Sequence, residues 1–324
     1  MKGVLLFKEK LKSFYGKNDM FILPGLKFLL AFITLCLING NVGYMRSLDS
    51  VFVAIIVSLL CAVLPNGATV LFTTLILIAH FYALSMELAI VTLIVFVLMY
   101  LFYFKFTAKS SDWVVVTLLC CMLKIPYVVP VAAGLLSSVF TMIPVFFGVI
   151  IYYFMNFAKD FEKTVAVMEE GDMFDNFLII VEGMLDKEIL LIGLSFALTI
   201  VVVYLVRRLS IDYAWIYAIV AGSLTDFVML LVGNVIFGTD IGFVGILLGL
   251  ILAIAVGYVL NIMFFGVDYT KTEHVQYEDD TYYYYVKAVP KYSASVADVK
   301  VKKISTQHKR KPVESDFDDI DIDF

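Results

Sequence analysis

Residues 241–265 read IGFVGILLGLILAIAVGYVLNIMFF and contain no charged side chain. A helix that crosses a bilayer needs roughly 20 mostly apolar residues, so this run alone is long enough to span a membrane. Similar runs recur from residue 21 to residue 266, after which the chain becomes charged and rich in tyrosine. Of the 324 residues, 62% are hydrophobic and the mean hydropathy is +0.95, whereas soluble proteins have roughly 45–50% apolar residues. The composition excludes a soluble fold for residues 1–266 and predicts an all-α polytopic membrane protein.

Eight apolar runs are predicted as transmembrane helices. They are residues 21–39, 50–64, 68–84, 88–103, 132–157, 189–206, 213–237 and 241–265. Pro65, Asn66 and Gly67 separate the second run from the third, a turn composition that indicates a tight helical hairpin.

A further segment, residues 114–131, has two interpretations. Its two apolar stretches are each too short to span, and Lys124 and Pro126 lie between them. If the segment crosses the membrane, there are nine spans, and the lysine-rich N-terminus lies on the opposite side from the basic tail. If it re-enters, there are eight spans and all basic clusters share one side. Because cytoplasmic loops carry the excess of Lys and Arg, we favour a Pro-broken re-entrant hairpin in a multi-pass protein of the cell membrane, with both termini cytoplasmic.

The charge pattern divides the chain into segments. We predict a basic cytoplasmic N-terminus at 1–20, a transmembrane domain at 21–266, a small cytoplasmic β-hairpin at 267–290 and a disordered, charged tail at 291–324. Within the transmembrane domain, the acidic segment 158–188 is expected to be external. Its apolar residues recur at helical spacing on both sides of Gly171, which predicts two short amphipathic helices at the interface. An acidic loop covering the bundle is the alternative.

Asp226 is the only acid inside a predicted span. A carboxylate at that depth is costly, so it should face protein or water and be protonated, paired or bound to an ion. Ala218, Gly222, Asp226 and Gly233 share one helical face, which points Asp226 into the bundle, with Thr225 and Asn234 as nearby polar groups. The functional interpretation is ion or substrate handling; the structural one is a carboxyl kept protonated by burial.

Two other polar residues lie in or near predicted spans. Lys124 accompanies two helix breakers, Pro126 and Pro130, and transporters use broken helices to build binding sites. Alternatively, Lys124 extends to the headgroups from a purely structural hairpin. His80 is a candidate proton relay, although a lone histidine in a span is more often a hydrogen-bonded helix contact.

Gly245, Gly249, Ala253 and Gly257 recur every four residues along the last span, which predicts close helix packing. The three histidines and the four cysteines, all of the latter in apolar runs, show no metal-ligand spacing. We therefore expect no metal and no cofactor. HExxH and GxSxG motifs are absent from the sequence, which argues against an enzyme.

The last ten residues, SDFDDIDIDF, resemble two bacterial docking peptides: the acidic, Phe-ended tip of single-stranded-DNA-binding protein and the C-terminal peptide of the division protein FtsZ. The likeness predicts a protein-binding peptide, with these contact residues: Phe317, Asp318, Asp319, Ile320 and Phe324. The basic block before it, residues 300–311, is expected to lie against anionic lipids. We expect no binding to nucleic acid.

The pairing of KIPYVVP at 124–130 with EDDTYYYYVKAVP at 278–290 resembles an uncharacterised polytopic membrane protein family of low-GC Gram-positive bacteria, often labelled permease-like. The broken hairpin, Asp226 and the eight-span bundle favour a transporter or permease that moves a small solute or ion. Its expected partners are further copies of the chain in a homo-oligomer, or an ABC-type ATPase supplied in trans. The alternative function is a membrane scaffold that recruits cytoplasmic partners through its tail.

Overall fold

The structure is a computed structural model and describes residues 2–65, 67–106, 110–165, 173–184, 186–239, 241–266 and 272–290. These residues form a helical bundle followed by a two-stranded sheet. The α-helices are α1 Lys2–Asn41, α2 Val51–Val63, α3 Gly67–Leu84, α4 Met86–Phe106, α5 Asp112–Met122, α6 Val128–Leu136, α7 Met142–Val165, α8 Met173–Met184, α9 Lys187–Arg207, α10 Ala214–Phe237 and α11 Phe243–Leu260. A 3₁₀ turn, Val139–Thr141, precedes α7, and a π-helical turn, Asn261–Phe265, follows α11.

Six apolar segments of the described chain are long enough to cross a membrane. They are Phe7–Asn41, Gly67–Leu84, Val139–Lys163, Phe177–Arg207, Ala214–Phe237 and Phe243–Phe265. Two of the eight predicted spans fall short of this length: α2 has 13 residues, and the apolar part of α4 is Met86–Phe102. A 13-residue helix rises only about 20 Å, whereas the hydrocarbon core is about 30 Å thick.

The first helix begins well before the predicted span. It starts at Lys2 and bends at Asn18, whose φ of −128° and ψ of 25° are not helical. The lysine-rich residues were predicted only as a basic cytoplasmic segment, but they are helical. Their lysines alternate with apolar residues such as Phe7 and Leu11, which gives a helix with mixed faces rather than an extended leader.

Helices α5 and α6 form a hairpin whose two open ends meet. Ser110 Oγ, just before α5, lies 3.4 Å from Ser137 Oγ, just after α6. The turn between the helices contains Lys124, Pro126 and Tyr127. Because the chain enters and leaves this hairpin at the same place, α5 and α6 do not stack into one continuous rod.

Helix α7 runs alongside α5. A Cβ at Gly148 of α7 would lie 2.6 Å from Cβ of Thr117 of α5, so the missing side chain permits their close approach. Helix α7 continues to Val165, and α8 follows from Met173. The first amphipathic helix predicted in the acidic segment is therefore not separate: its first residues form the end of α7. Gly171 lies outside the described residues.

Contacts between distant residues define a first end of the bundle. Lys8 Nζ donates to the Ile262 carbonyl at 2.8 Å, Lys287 Nζ pairs with Asp212 Oδ1 at 2.7 Å, and Arg207 donates to the carbonyls of Leu135 and Ser137. The start of α1, the hairpin ends, the α9–α10 connection and the residues after α11 thus share this end.

A second end of the bundle joins the opposite ends of the helices. Lys159 Nζ near the end of α7 donates to Asn41 Oδ1 at the end of α1, at 2.7 Å. His80 near the end of α3 accepts a hydrogen bond from the Met45 amide at 3.1 Å. Asp160, Glu182 and Asp186, which line one pocket, also lie at this end.

The two-stranded sheet confirms the hairpin predicted after the last span. Strands β1 Glu273–Glu278 and β2 Tyr283–Ala288 are antiparallel, with Tyr277 opposite Tyr284. The rings of these two tyrosines stack with centroids 4.8 Å apart. Asp279 closes the turn by accepting hydrogen bonds from the Thr281 and Tyr282 amides.

Candidate functional site

The candidate site lies between α9 and α10, which pack closely because glycines face large side chains. A Cβ at Gly222 of α10 would lie 2.1 Å from Val203 Cγ2 of α9, and a Cβ at Gly233 would lie 2.0 Å from Leu191 Cδ1. The later residue of α10, Gly233, contacts the earlier residue of α9, Leu191, so the two helices are antiparallel. The predicted face of α10, comprising Ala218, Gly222, Asp226 and Gly233, is buried.

Asp226 is bonded across this interface. Its Oδ1 accepts a hydrogen bond of 2.6 Å from Ser195 Oγ of α9, and both residues are buried. Asp226 takes part in no ion pair with the described lysines, arginines or histidines. An unpaired carboxylate in an apolar interior is unfavourable, so the site requires a neutralising proton or cation.

Two more hydroxyl groups in the interface lack partners. Thr199 lies one turn after Ser195 along α9, and Ser223 lies one turn before Asp226 along α10. Because the two helices are antiparallel, Thr199 and Ser223 lie on the same side of the Ser195–Asp226 bond along the helix axes. Their exposed fractions are 0% and 2%, and neither oxygen has a hydrogen-bond partner among the described residues. Buried polar groups are normally satisfied. Tyr44 and Ser111 also carry buried oxygens without partners, but only Thr199 and Ser223 lie one helical turn from the Ser195–Asp226 bond.

Four other buried hydroxyls of the bundle behave differently. They bond to a carbonyl in the preceding turn of their own helix, the usual solution for Ser and Thr in helices: Thr34 to Leu30, Ser58 to Ala54, Thr92 to Leu88, and Thr117 to Trp113. The α9–α10 interface therefore holds hydroxyl oxygens free to bind something else.

The tip of the α5–α6 hairpin lies beside this interface. The Tyr127 ring occupies the space left by Gly249 of α11, where a Cβ would be 2.0 Å from Tyr127 Cδ2. It also meets the ring of Phe196, the residue after Ser195, edge to face at 6.3 Å. Irregular backbone and a buried carboxylate therefore lie close together.

Lys124 ends α5 in the left-handed conformation, with φ of 60°. The Ile125 amide donates to the Cys120 carbonyl, and the Lys124 amide donates to the Cys121 carbonyl. These two bonds make a Schellman motif, in which the left-handed position usually holds glycine. The Lys124 side chain is exposed and is not part of the Asp226 cluster.

A pocket of about 550 Å³ opens at the second end of the bundle. Asp160, Glu182 and Asp186 line it together with Lys187 and Tyr153, and Asp160 is paired with Lys163. The carboxyl groups outnumber the ammonium groups, which favours cations. Tyr153 packs on the same apolar cluster as Tyr127 of the hairpin tip.

The structure does not bring Thr225 and Asn234 to Asp226. Thr225 Oγ1 donates to the Ala221 carbonyl of its own helix. Asn234 binds the α10–α11 connection: its amide nitrogen donates to the Ile241 carbonyl, and its Oδ1 accepts from the Ile241 amide. Both were predicted as neighbours of Asp226, but their side chains form hydrogen bonds with nearby backbone groups instead.

His80 also has a structural role. Its Nδ1 accepts from the Met45 amide, so the proton lies on Nε2, which is 3.2 Å from Asn39 Oδ1. The Asn39 amide in turn donates to the Leu48 carbonyl. His80 therefore fixes the connection between α1 and α2 rather than contributing to the Asp226 cluster.

The predicted glycine ladder packs over three of its four positions. Gly249, Ala253 and Gly257 are buried, and a Cβ at Gly257 would lie 2.9 Å from Ile219 of α10. Gly245 is exposed, and a Cβ there would meet nothing within 4 Å. The packing prediction is wrong at Gly245, because the hairpin tip covers the helix only from Gly249 onward.

Comparisons with known proteins bring no relative to this site. No family model matches the chain, and neither a curated protein nor a solved structure shows significant similarity to it. Within the described residues, no three His, Cys, Asp or Glu side chains are grouped as metal ligands. The predicted docking peptide, Phe317 to Phe324, lies outside the described residues, so recruitment of a partner stays a prediction.

Sequence reasoning missed Ser195, Thr199 and Ser223. A signal was present: Ser195 and Thr199 are four residues apart on one face of an otherwise apolar run, and Ser223 precedes Asp226 by three. Polar residues at such spacing indicate a shared face. Which helix would face α10 was not evident from the sequence.

Proposed function

We propose that this chain is a transport protein of the cell membrane that moves a small solute or ion through the half of the bundle formed by the α5–α6 hairpin, α9, α10 and α11. One observation carries the proposal: the hairpin tip at Tyr127 packs on Gly249 and Phe196, next to the Ser195–Asp226 bond. Irregular backbone at membrane depth is tolerated only where protein or a water-filled cavity satisfies it, and transporters place their sites at such breaks.

The proposed topology has eight spans and a hairpin that re-enters from the first end. The contact between Ser110 and Ser137 supports it, because both hairpin ends lie where Arg207 and the start of α1 also lie. The first end carries the N-terminal lysines and Arg207 with Arg208, so the positive-inside rule makes it cytoplasmic. The acidic pocket then opens to the outside.

The proposed mechanism uses a small displacement of the hairpin tip. A cation or cationic solute is first concentrated in the acidic pocket at the second end. Tyr153 of this pocket and Tyr127 of the hairpin tip pack on one apolar cluster, and movement of the tip away from Gly249 opens the way inward. Asp226 stabilises the positive charge at the level where bilayer solvation is weakest.

Solute-induced currents on supported membranes test transport directly. Purified protein in liposomes is exposed to concentration jumps of inorganic cations, amino acids, organic amines, sugars and organic acids. The expected result is a protein-dependent current for at least one class, abolished in Asp226→Asn and retained in Thr225→Val, which alters a hydroxyl that bonds only to its own helix. Currents equal in wild type, Asp226→Asn and empty liposomes would reject the proposal.

A further inference from the structure

We propose that the α9–α10 interface binds a dehydrated monovalent cation, with Na⁺ as the best fit, through oxygens of Asp226, Ser195, Thr199 and Ser223. The inference deepens the proposed function by naming the coupling ion. It stands on the geometry of the interface: one bonded carboxyl–hydroxyl pair and two buried hydroxyls without partners on the adjacent turns.

The choice between a proton and a metal cation follows from the hydroxyl groups. A proton on Asp226 neutralises the carboxyl, but it leaves Thr199 Oγ1 and Ser223 Oγ unsatisfied. A cation uses both as ligands, since each hydroxyl oxygen has two lone pairs. Ser195 keeps a lone pair for the cation while it donates to Asp226. A cation held between the two helices therefore uses the oxygens of all four side chains.

Charge and ligand type decide which cation fits. All four side chains offer oxygen, which suits hard cations rather than transition metals. A single carboxylate balances a single positive charge, whereas a divalent ion would leave a net charge buried in apolar surroundings at high cost.

Access to the site comes from the hairpin side. The Tyr127 ring meets the ring of Phe196, the residue after Ser195, edge to face, so the hairpin tip lies beside the interface. Transporters with broken helices coordinate Na⁺ with unwound backbone near such breaks. The hairpin tip is placed to complete the ligand set with backbone carbonyls when the ion is bound.

Thermal unfolding of the purified full-length protein in detergent tests the inference. At constant ionic strength, Na⁺ in place of choline should raise the unfolding midpoint by about 5 °C at saturation, and K⁺ should raise it less. Thr199→Val and Ser223→Ala each remove one ligand oxygen. Each should therefore weaken Na⁺ binding and raise the half-saturating Na⁺ concentration at least tenfold. Thr225→Val is the matched control and should respond like wild type.

Two outcomes would overturn the site. One is a wild-type midpoint that is the same in Na⁺ and choline; the other is a Na⁺ response that persists unchanged in Thr199→Val and Ser223→Ala. A response to pH alone assigns Asp226 a proton instead and also rejects the cation site. The comparison of the wild-type unfolding midpoints in Na⁺ and in choline tests the site even if Asp226→Asn does not fold.

The test separates this inference from the transport proposal. A Na⁺-dependent midpoint without solute-induced current leaves the cation site standing and rejects transport. Current that does not depend on Na⁺, together with an unchanged midpoint, rejects the cation site and leaves transport standing. Direct binding of radioactive Na⁺ to the protein gives an independent measurement of the same site.

Discussion

Ser110 Oγ and Ser137 Oγ lie 3.4 Å apart, although 27 residues separate them along the chain. The pair closes the open end of the α5–α6 hairpin and fixes the side from which α7 starts. If the hairpin contributed a crossing, every helix after it would run in the opposite direction. The shared position of its ends is therefore the relationship on which the whole proposed topology depends.

Cysteine labelling tests this topology. In a background with the four native cysteines replaced, Lys163→Cys and Leu209→Cys place single thiols at the second and first ends, where both native side chains are exposed. We expect an impermeant maleimide added to intact cells to label position 163 but not position 209. Permeabilised cells, in which both should react, serve as the control. Labelling of position 209 but not of position 163, the pattern expected if the hairpin contributed a crossing, contradicts the eight-span topology.

Gly249→Ala should loosen the hairpin tip. The added methyl would sit 2.0 Å from the Tyr127 ring, and overpacking of this kind costs about 1–3 kcal/mol. Gly245→Ala on the same helix meets open space and should leave the free energy of unfolding nearly unchanged. Thermal unfolding in detergent compares the two variants. Equal midpoints would show that Tyr127 does not depend on the space at Gly249.

Lys124→Gly should stabilise the turn after α5. Lys124 has a positive φ, which costs an L-residue with a side chain about 1 kcal/mol relative to glycine. Lys124→Ala keeps that strain and removes the ammonium group, so it separates conformation from charge. A higher unfolding midpoint is expected for Lys124→Gly than for Lys124→Ala. If both variants lose solute-induced current, the ammonium group itself has a role in transport.

The turn of the β-hairpin should respond to pH through Asp279. Hydrogen bonds from the Thr281 amide, the Tyr284 hydroxyl and the Tyr282 amide hold the pKa of the Asp279 carboxyl below its ordinary value. A folded-state pKa below the unfolded one gives stability that is fully present above the unfolded pKa and is lost as the pH falls through the folded pKa. The amide signals of Thr281 and Tyr282 should therefore shift below about pH 4.

Tyr284 sets the alkaline limit of the same turn. Its hydrogen bond to the Asp279 carboxylate raises the pKa of the Tyr284 hydroxyl. The stability that results is complete below the unfolded pKa and is lost as the pH rises through the folded one. Asp279→Asn should remove both effects in the NMR titration, and Asp280→Asn is the control. An unchanged titration in Asp279→Asn would show that Asp279 does not hold the turn.

The sequence predicts the elements of this fold better than their contacts. Apolar periodicity and length located the long helices, and alternating tyrosines and valines located the β-hairpin, because these patterns are local. The break around Pro126 and the turn at Gly67 were likewise visible. The start of α1 at Lys2 was not, because lysines in a helix that lies partly at a membrane surface resemble a disordered basic leader.

The candidate site shows the limit of reasoning from single helices. Burial of Asp226 followed from the small residues on its face, since only that side of α10 permits close packing. Its partner Ser195 lies 31 residues away, and no local pattern states that α9 rather than another helix faces α10. Thr225 and Asn234 were chosen because they are close in sequence, but hydroxyl and amide groups in helices commonly bond to nearby backbone.

The α5–α6 hairpin also constrains the order in which the protein assembles. Helix α6 packs on Leu191 and Phe196 of α9 and on Ile246 of α11, all of which are synthesised after it. The hairpin therefore cannot reach its final position when it leaves the ribosome and must wait in the translocon or at the bilayer surface. In a nascent chain truncated before residue 246, the contact with Ile246 is missing, so the hairpin is covered on the α9 side alone.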